Sequence, residues 1–154
     1  MKLLQHSDNR WKYGLEPKEG MLLRALIREF PQATTRPVKI TRTQPDVKSA
    51  ERGRLLNESL AKHRQELKKQ AANLLTLNLK PGRDGWRLSM NHEEREVLLQ
   101  LINDIRVESW HALGEPESLD ALPSKPSDAN LRQHHLMHLA GYFEWKLLDL
   151  EDGS

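Results

Sequence analysis

The apolar positions of this 154-residue chain change period several times, and each change marks an element. Leu3 and Gln5, then Trp11, Tyr13 and Leu15, alternate with their neighbours on either side of Ser7-Asp8-Asn9. Period two around turn formers predicts a β-hairpin over residues 2–15. Pro17 suits a first helical turn and Glu16 and Glu19 suit a positive helix end. Leu22, Leu23, Leu26, Ile27 and Phe30 then form one helical face, which Pro31 ends. Residues 31–47 hold three prolines and no sustained period, which predicts a loop. Leu56, Leu60, His63, Leu67, Ala71 and Leu74 recur every three or four residues and predict a long helix over 48–77. Pro81 to Gly85 reads as a turn and Trp86, Leu88 and Met90 as a strand. Asn91 with Glu94 is a capping box for a helix carrying Val97, Leu98, Leu101, Ile102 and Ile105, which runs on toward Trp110 and Leu113 and stops at Gly114. A loop over 114–127 follows. Asp128 is placed to cap a last helix, about 129–149, with Leu131, Leu136, Leu139, Phe143 and Leu147 inward.

The pattern also repeats. Trp11, Glu19, Leu22-Leu23 and Leu26-Ile27 return 75 positions later as Trp86, Glu94, Val97-Leu98 and Leu101-Ile102. The two strand-then-helix units, 10–30 and 85–105, predict that Trp86–Met90 pairs with the N-terminal hairpin in a sheet of about three strands. The two helices of the units are expected to pack near each other. The fold expected is one α+β domain over 1–154, mainly α, with about four helices and a small antiparallel sheet.

Composition narrows the class. With 37% hydrophobic and 30% charged residues, the helices should be amphipathic rather than buried all round. The absence of cysteine excludes disulfides and thiolate chemistry, and no stretch approaches the ~20 apolar residues of a membrane span. A cytoplasmic setting is expected. The net charge of +2 hides an asymmetry: residues 31–87 hold 13 Lys/Arg against 5 Asp/Glu, and residues 88–154 hold 5 against 13. Either the basic middle meets an anionic partner, or the two halves face each other.

Candidate chemistry is sparse. His134 and His138 lie four apart on one predicted helix, and Glu108 and His111 three apart on another. These are metal-ligand spacings, but the second occurs once where bundle metal sites need it twice. No nucleophile elbow, P-loop or dinucleotide fingerprint is present, so no enzyme and no cofactor are expected. Arg52, Arg54, Lys62, Arg64, Lys68 and Lys69 give the long helix a basic face that could hold nucleic-acid phosphates, without aromatic residues to stack on bases. The seam Leu56, Leu60, Leu67 and Leu74 is narrow and long, which suits packing against a second copy in a homodimer. His63 interrupts that seam and is expected as a half-buried imidazole bonded to a neighbour.

Leu101-Ile102-Asn103-Asp104-Ile105-Arg106, following the Trp86–Met90 strand and preceding Gly141-Tyr142-Phe143-Glu144-Trp145, resembles a bacterial family catalogued as domain of unknown function 2017. The resemblance covers about residues 10–30 and 86–148. It implies a mainly helical protein with a Trp-bearing terminal helix and transfers no mechanism. The function expected is therefore that of a non-enzymatic cytoplasmic regulatory or scaffold protein working by protein–protein contact. Non-specific nucleic-acid binding by helix 48–77 is the first alternative, and a His/Glu metal site the second.

Overall fold

The computed structural model describes residues 1–30, 47–117 and 130–149. Its elements are β1 (Lys2–Ser7), β2 (Arg10–Leu15), α1 (Pro17–Arg28), α2 (Val47–Asn78), β3 (Leu79–Gly82), β4 (Gly85–Met90), α3 (His92–Ala112) and α4 (Leu131–Leu148). The architecture is α+β and mainly α, with four helices and one antiparallel sheet of order β1-β2-β4-β3 among the described residues. The sheet has four strands where about three were expected. Pro81 reads as a turn residue, yet it lies in β3, an edge strand, where its missing N–H leaves no gap in the ladder. The turn shrinks to Arg83-Asp84, closed by the pair Gly82↔Gly85.

The internal repeat has a geometric meaning. Tyr13 pairs with Leu88, flanked by Trp11↔Met90 and Leu15↔Trp86. Tyr13 and Leu88 are equivalent under the 75-residue offset, as are Trp11 and Trp86, and Leu15 and Met90. The pairing therefore exchanges the two copies about a local two-fold axis through Tyr13 and Leu88. The hairpins obey the same offset: Ser7↔Arg10, His6↔Trp11 and Gln5↔Lys12 in one copy match Gly82↔Gly85, Pro81↔Trp86 and Lys80↔Arg87 in the other. A bulge between Leu3 and Gln5 is where the first copy departs. Each copy is thus a strand–strand–helix unit, one element longer than the sequence pattern revealed.

The inner face of the sheet carries Trp11, Tyr13, Leu15, Leu88 and Met90, all buried, and each copy's helix covers the other copy's tryptophan. Arg95 of α3 stacks on Trp11 at 3.9 Å. The equivalent position in α1 is Gly20, against Trp86, with Arg24 stacking on that ring at 4.6 Å. Both helices start with capping boxes, Glu16 with Glu19 and Asn91 with Glu94. The helices do not pack mainly on each other, contrary to the expectation. α3 packs chiefly on α4, and α1 meets α2 and α4. α4 comes between them in the packing, with Leu136, Ala140, Phe143 and Leu147 buried in the common core. Leu131, expected inward, is 38% exposed because it opens the first turn of α4. The N-cap of α4 is Asn130, with no side-chain cap; Asp128 lies outside the described residues, as do the 31–46 part of the first expected loop and 118–127 of the second.

Candidate functional site

α3 presents Asn103, Arg106, Val107 and Trp110 at spacings of three, four and seven, one stripe of a helix. α4 presents Met137, His138, Gly141, Glu144, Trp145 and Leu148 in the same manner. The stripes face each other across a cleft of about 850 Å³, which Pro116 also lines. Trp110 Nε1 donates to the Pro116 carbonyl at 2.9 Å, which pins the chain leaving α3 to the rim. That exit is a left-handed helix end: Gly114 has φ +87° and Glu115 N–H returns to the Trp110 carbonyl.

The cleft walls are apolar and open. Trp145 is 60% exposed, Leu148 54%, Val107 41% and Trp110 38%. An exposed apolar cluster of this kind, rimmed by polar groups, marks a contact surface. Arg106 Nη1 bridges to Glu144 Oε2 at 3.2 Å, tying α3 to α4. The bridge is half exposed and contributes ~0–1 kcal/mol, so it orients rather than stabilises. Burial, and then the charges of His134 and His135, hold His138 below the usual imidazole range, so the imidazole is uncharged near neutral pH. Gly141 is the least expected lining residue. Glycine within a helix costs ~1 kcal/mol against alanine, and here a Cβ would meet nothing within 4 Å. No neighbour requires the small side chain, so what it leaves is room in the cleft.

The residues singled out from sequence fall elsewhere. Leu67 and Leu74 are buried in the chain's own core, while Leu56 is 38% exposed and Leu60 half-buried. The seam is therefore divided: its C-terminal half packs on this chain's sheet and helices, and only its N-terminal half is available to a second copy. His63 is exposed and bonds Gln100 at 3.1 Å. Of the basic helix residues, Arg54 pairs with Glu58, Arg64 with Glu108 of α3 at 3.4 Å, and Lys68 donates to the Arg28 carbonyl. Arg52, Lys62 and Lys69 are exposed. The Arg64–Glu108 contact shows the basic and acidic halves meeting within the chain. His111 bonds Glu115 at 2.6 Å, and the His134 and His138 rings lie 4.5 Å apart. Among the described residues, no group of three or more His, Asp or Glu side chains is placed to hold a metal ion, so the structure does not bring Glu108, His111, His134 and His138 together.

Sequence reasoning missed the cleft because Trp110, Gly141, Glu144 and Trp145 are separated by a loop and carry no motif. The available signal was the second stripe of α4, offset from the Leu136–Phe143–Leu147 face. It also missed Arg95, which shares the face of Leu98, Ile102 and Ile105 but sits in the charged run Glu93-Glu94-Arg95-Glu96.

Asp104, one residue beyond the cleft stripe, looks the other way, toward α2. Burial raises its carboxyl above the usual range, and Arg64 and His63 only partly oppose this. A raised acid is better tolerated protonated, so its contribution to stability is full below the unfolded value and lost as pH rises through the folded one. Asp104→Asn is expected to raise the melting temperature at pH 7 and to lose that advantage below about pH 3.8. An unchanged or lowered melting temperature at pH 7 would show that Arg64 dominates instead.

No family model, no curated protein and no solved structure matches this chain. Its functional reading therefore rests on its own geometry. No helix among the described residues is long and apolar enough to cross a membrane.

Proposed function

We propose that this chain is a non-enzymatic regulatory or scaffold protein that acts by protein–protein contact, with the α3–α4 cleft as its docking site. The observation that carries the reading is the exposure of Trp110, Val107, Trp145 and Leu148 around one cleft. Tryptophan and arginine are the residues most enriched where binding energy concentrates, and Arg106 lines the same cleft as the two tryptophans. The groove between two helices suits an amphipathic helix or an extended apolar segment of the partner. A cytoplasmic setting is part of the proposal, supported by the cysteine-free sequence. So is kinship with the domain-of-unknown-function-2017 family, supported by the pattern Leu101 to Arg106.

Self-association is a second reading, favoured by Leu55 at 53% and Leu56 at 38% exposure on α2. Light scattering of Leu56→Glu/Leu60→Glu separates it: a dimer that falls to monomer supports it, and a mass unaffected by the change removes it.

The cleft is tested by tag-based capture from nuclease-treated native lysate. Gly141→Ala is expected to stabilise the protein by up to ~1 kcal/mol with capture retained. Trp145→Ala and Gly141→Leu are expected to keep the fold and lose the captured proteins, the first by removing an anchor and the second by filling the space. Equal capture by all three variants and the parent would remove the cleft as the docking site.

A further inference from the structure

Strand alternation divides the sheet into two unlike faces. The helices cover the face bearing Trp11, Tyr13, Leu15, Leu88 and Met90. The opposite face takes Lys2 from β1, Arg10 and Lys12 from β2, Lys80 from β3 and Arg87 from β4, with Arg83 in the adjoining turn. All are exposed except Arg87, which is half-buried. The strand positions between them are Leu4, Gln5, Ser7, Gly14, Gly82, Gly85 and Ser89, all uncharged. No carboxylate stands on this face of any strand; Asp8 and Asp84 lie in the hairpin turns. Among the described residues, none of the six cations lies within ion-pair distance of a carboxylate, whereas three of the basic residues on α2 are already engaged inside the chain.

We propose that this open sheet face binds the sugar–phosphate backbone of double-stranded nucleic acid, without reading sequence. Five cations on one face of a small sheet, with Arg83 in the adjoining turn, repel one another, and a polyanion neutralises that repulsion while its own condensed counterions are released. The face is too polar for a protein interface core or for insertion into a lipid surface, since its only sizeable apolar side chain is Leu4 over Gly14. It has no aromatic residue on which unpaired bases could stack, which argues against a single strand. Four strands span about 14 Å between edge strands, wider than a major groove of about 12 Å. The sheet therefore lies across the phosphates rather than inside the groove. Lys12 and Arg87 are equivalent under the internal repeat and sit diagonally about the local two-fold axis, facing Ser89 and Gly14. A duplex has two-fold axes relating its antiparallel strands, so this pair can meet both backbones alike.

The test is fluorescence anisotropy with a labelled mixed-sequence duplex of about 20 base pairs, read from about 50 to 200 mM salt. The intact protein is expected to bind with a steep loss of affinity as salt rises. Lys12→Gln/Lys80→Gln/Arg87→Gln is expected to bind at least tenfold more weakly at low salt, and to flatten the log–log salt slope by about 2–3, since each phosphate contact contributes about 0.9. Arg52→Gln/Lys62→Gln/Lys69→Gln on α2 is expected to bind like the parent. Ser89→Glu, which sets a carboxylate beside Lys12, supplies an independent variant should the triple change disturb the sheet, with folding checked by circular dichroism. Four results would overturn the proposal: no binding near 50 mM salt, loss in the α2 variant equal to that in the sheet variant, tighter binding to the single strand than to the duplex, or tighter binding to vesicles containing anionic lipid. None of these outcomes bears on protein capture by the α3–α4 cleft.

Discussion

Arg95→Ala is expected to lower the free energy of unfolding by about 2–4 kcal/mol, read as a shift in urea midpoint. Arg95 is 6% exposed, and its guanidinium ties three elements together. Nε donates to Tyr13 Oη at 3.0 Å and Nη2 to the Leu147 carbonyl at 2.6 Å, while the plane stacks on Trp11. Leu147 belongs to the last turn of α4, whose carbonyls have no partner within the helix and carry the negative end of its dipole. Tyr13 also donates to that carbonyl, at 2.9 Å. The charge is thus held by carbonyl, hydroxyl and aromatic face. Its carboxylate neighbour Glu96 lies 3.9 Å away with a 57% exposed side chain. Charge-assisted hydrogen bonds contribute about 1.5–3 kcal/mol each and a desolvated cation–π contact about 2, from which the desolvation of the guanidinium must be subtracted. Arg95→Met fills the space without a buried charge and is expected to recover most of the loss. Tyr13→Phe is expected to cost about 1–3 kcal/mol, because Nε loses its acceptor. The double mutant should cost less than the sum, since the two share the Leu147 carbonyl. Burial keeps the Tyr13 hydroxyl protonated above the ordinary phenol range, with Arg95 opposing the shift. The network is therefore complete at neutral pH, and its Tyr13 part is lost only as pH rises through that elevated value. A loss below about 0.5 kcal/mol for Arg95→Ala would show that these contacts merely fill space.

Gly85→Ala is expected to be nearly as damaging, at about 2–4 kcal/mol, where Gly114→Ala should cost about 1. Both glycines have positive φ, +121° at Gly85 and +87° at Gly114. They differ in surroundings. A Cβ at Gly114 would meet nothing within 4 Å, but one at Gly85 would stand 2.7 Å from the Leu15 carbonyl oxygen. That oxygen belongs to β2, the strand paired with β4 beside the two-fold axis, and backbone in a sheet cannot move aside as a side chain can. Thermal denaturation of the two variants side by side separates strain alone from strain plus a backbone collision. Equal losses would mean that β2 and β4 part without consequence.

Much of the fold was legible because it is local. Period-two and period-3.6 patterns, the two capping boxes and Gly114 depend on residues within a few positions of one another, and the elements they predict are present. The 75-residue repeat foretold that β4 joins the N-terminal hairpin. What it did not contain was the symmetry of that pairing, because register is set between strands and not along one. β3 escaped because Pro81 is read locally as a turn, and only its place at the sheet edge makes it tolerable. The α2 seam looked free along its whole length. Its division into a buried half with Leu67 and Leu74 and an open half with Leu56 depends on where α2 crosses the rest of the chain. Composition determined that the molecule is charged, cysteine-free and amphipathic. Only the tertiary structure decided which charges are used. It paired Arg64 with Glu108 and buried Arg95. It also gathered the cations of four separate strands onto one face and brought two tryptophans from different helices to one cleft, because surfaces are built from residues that adjacency in sequence does not connect.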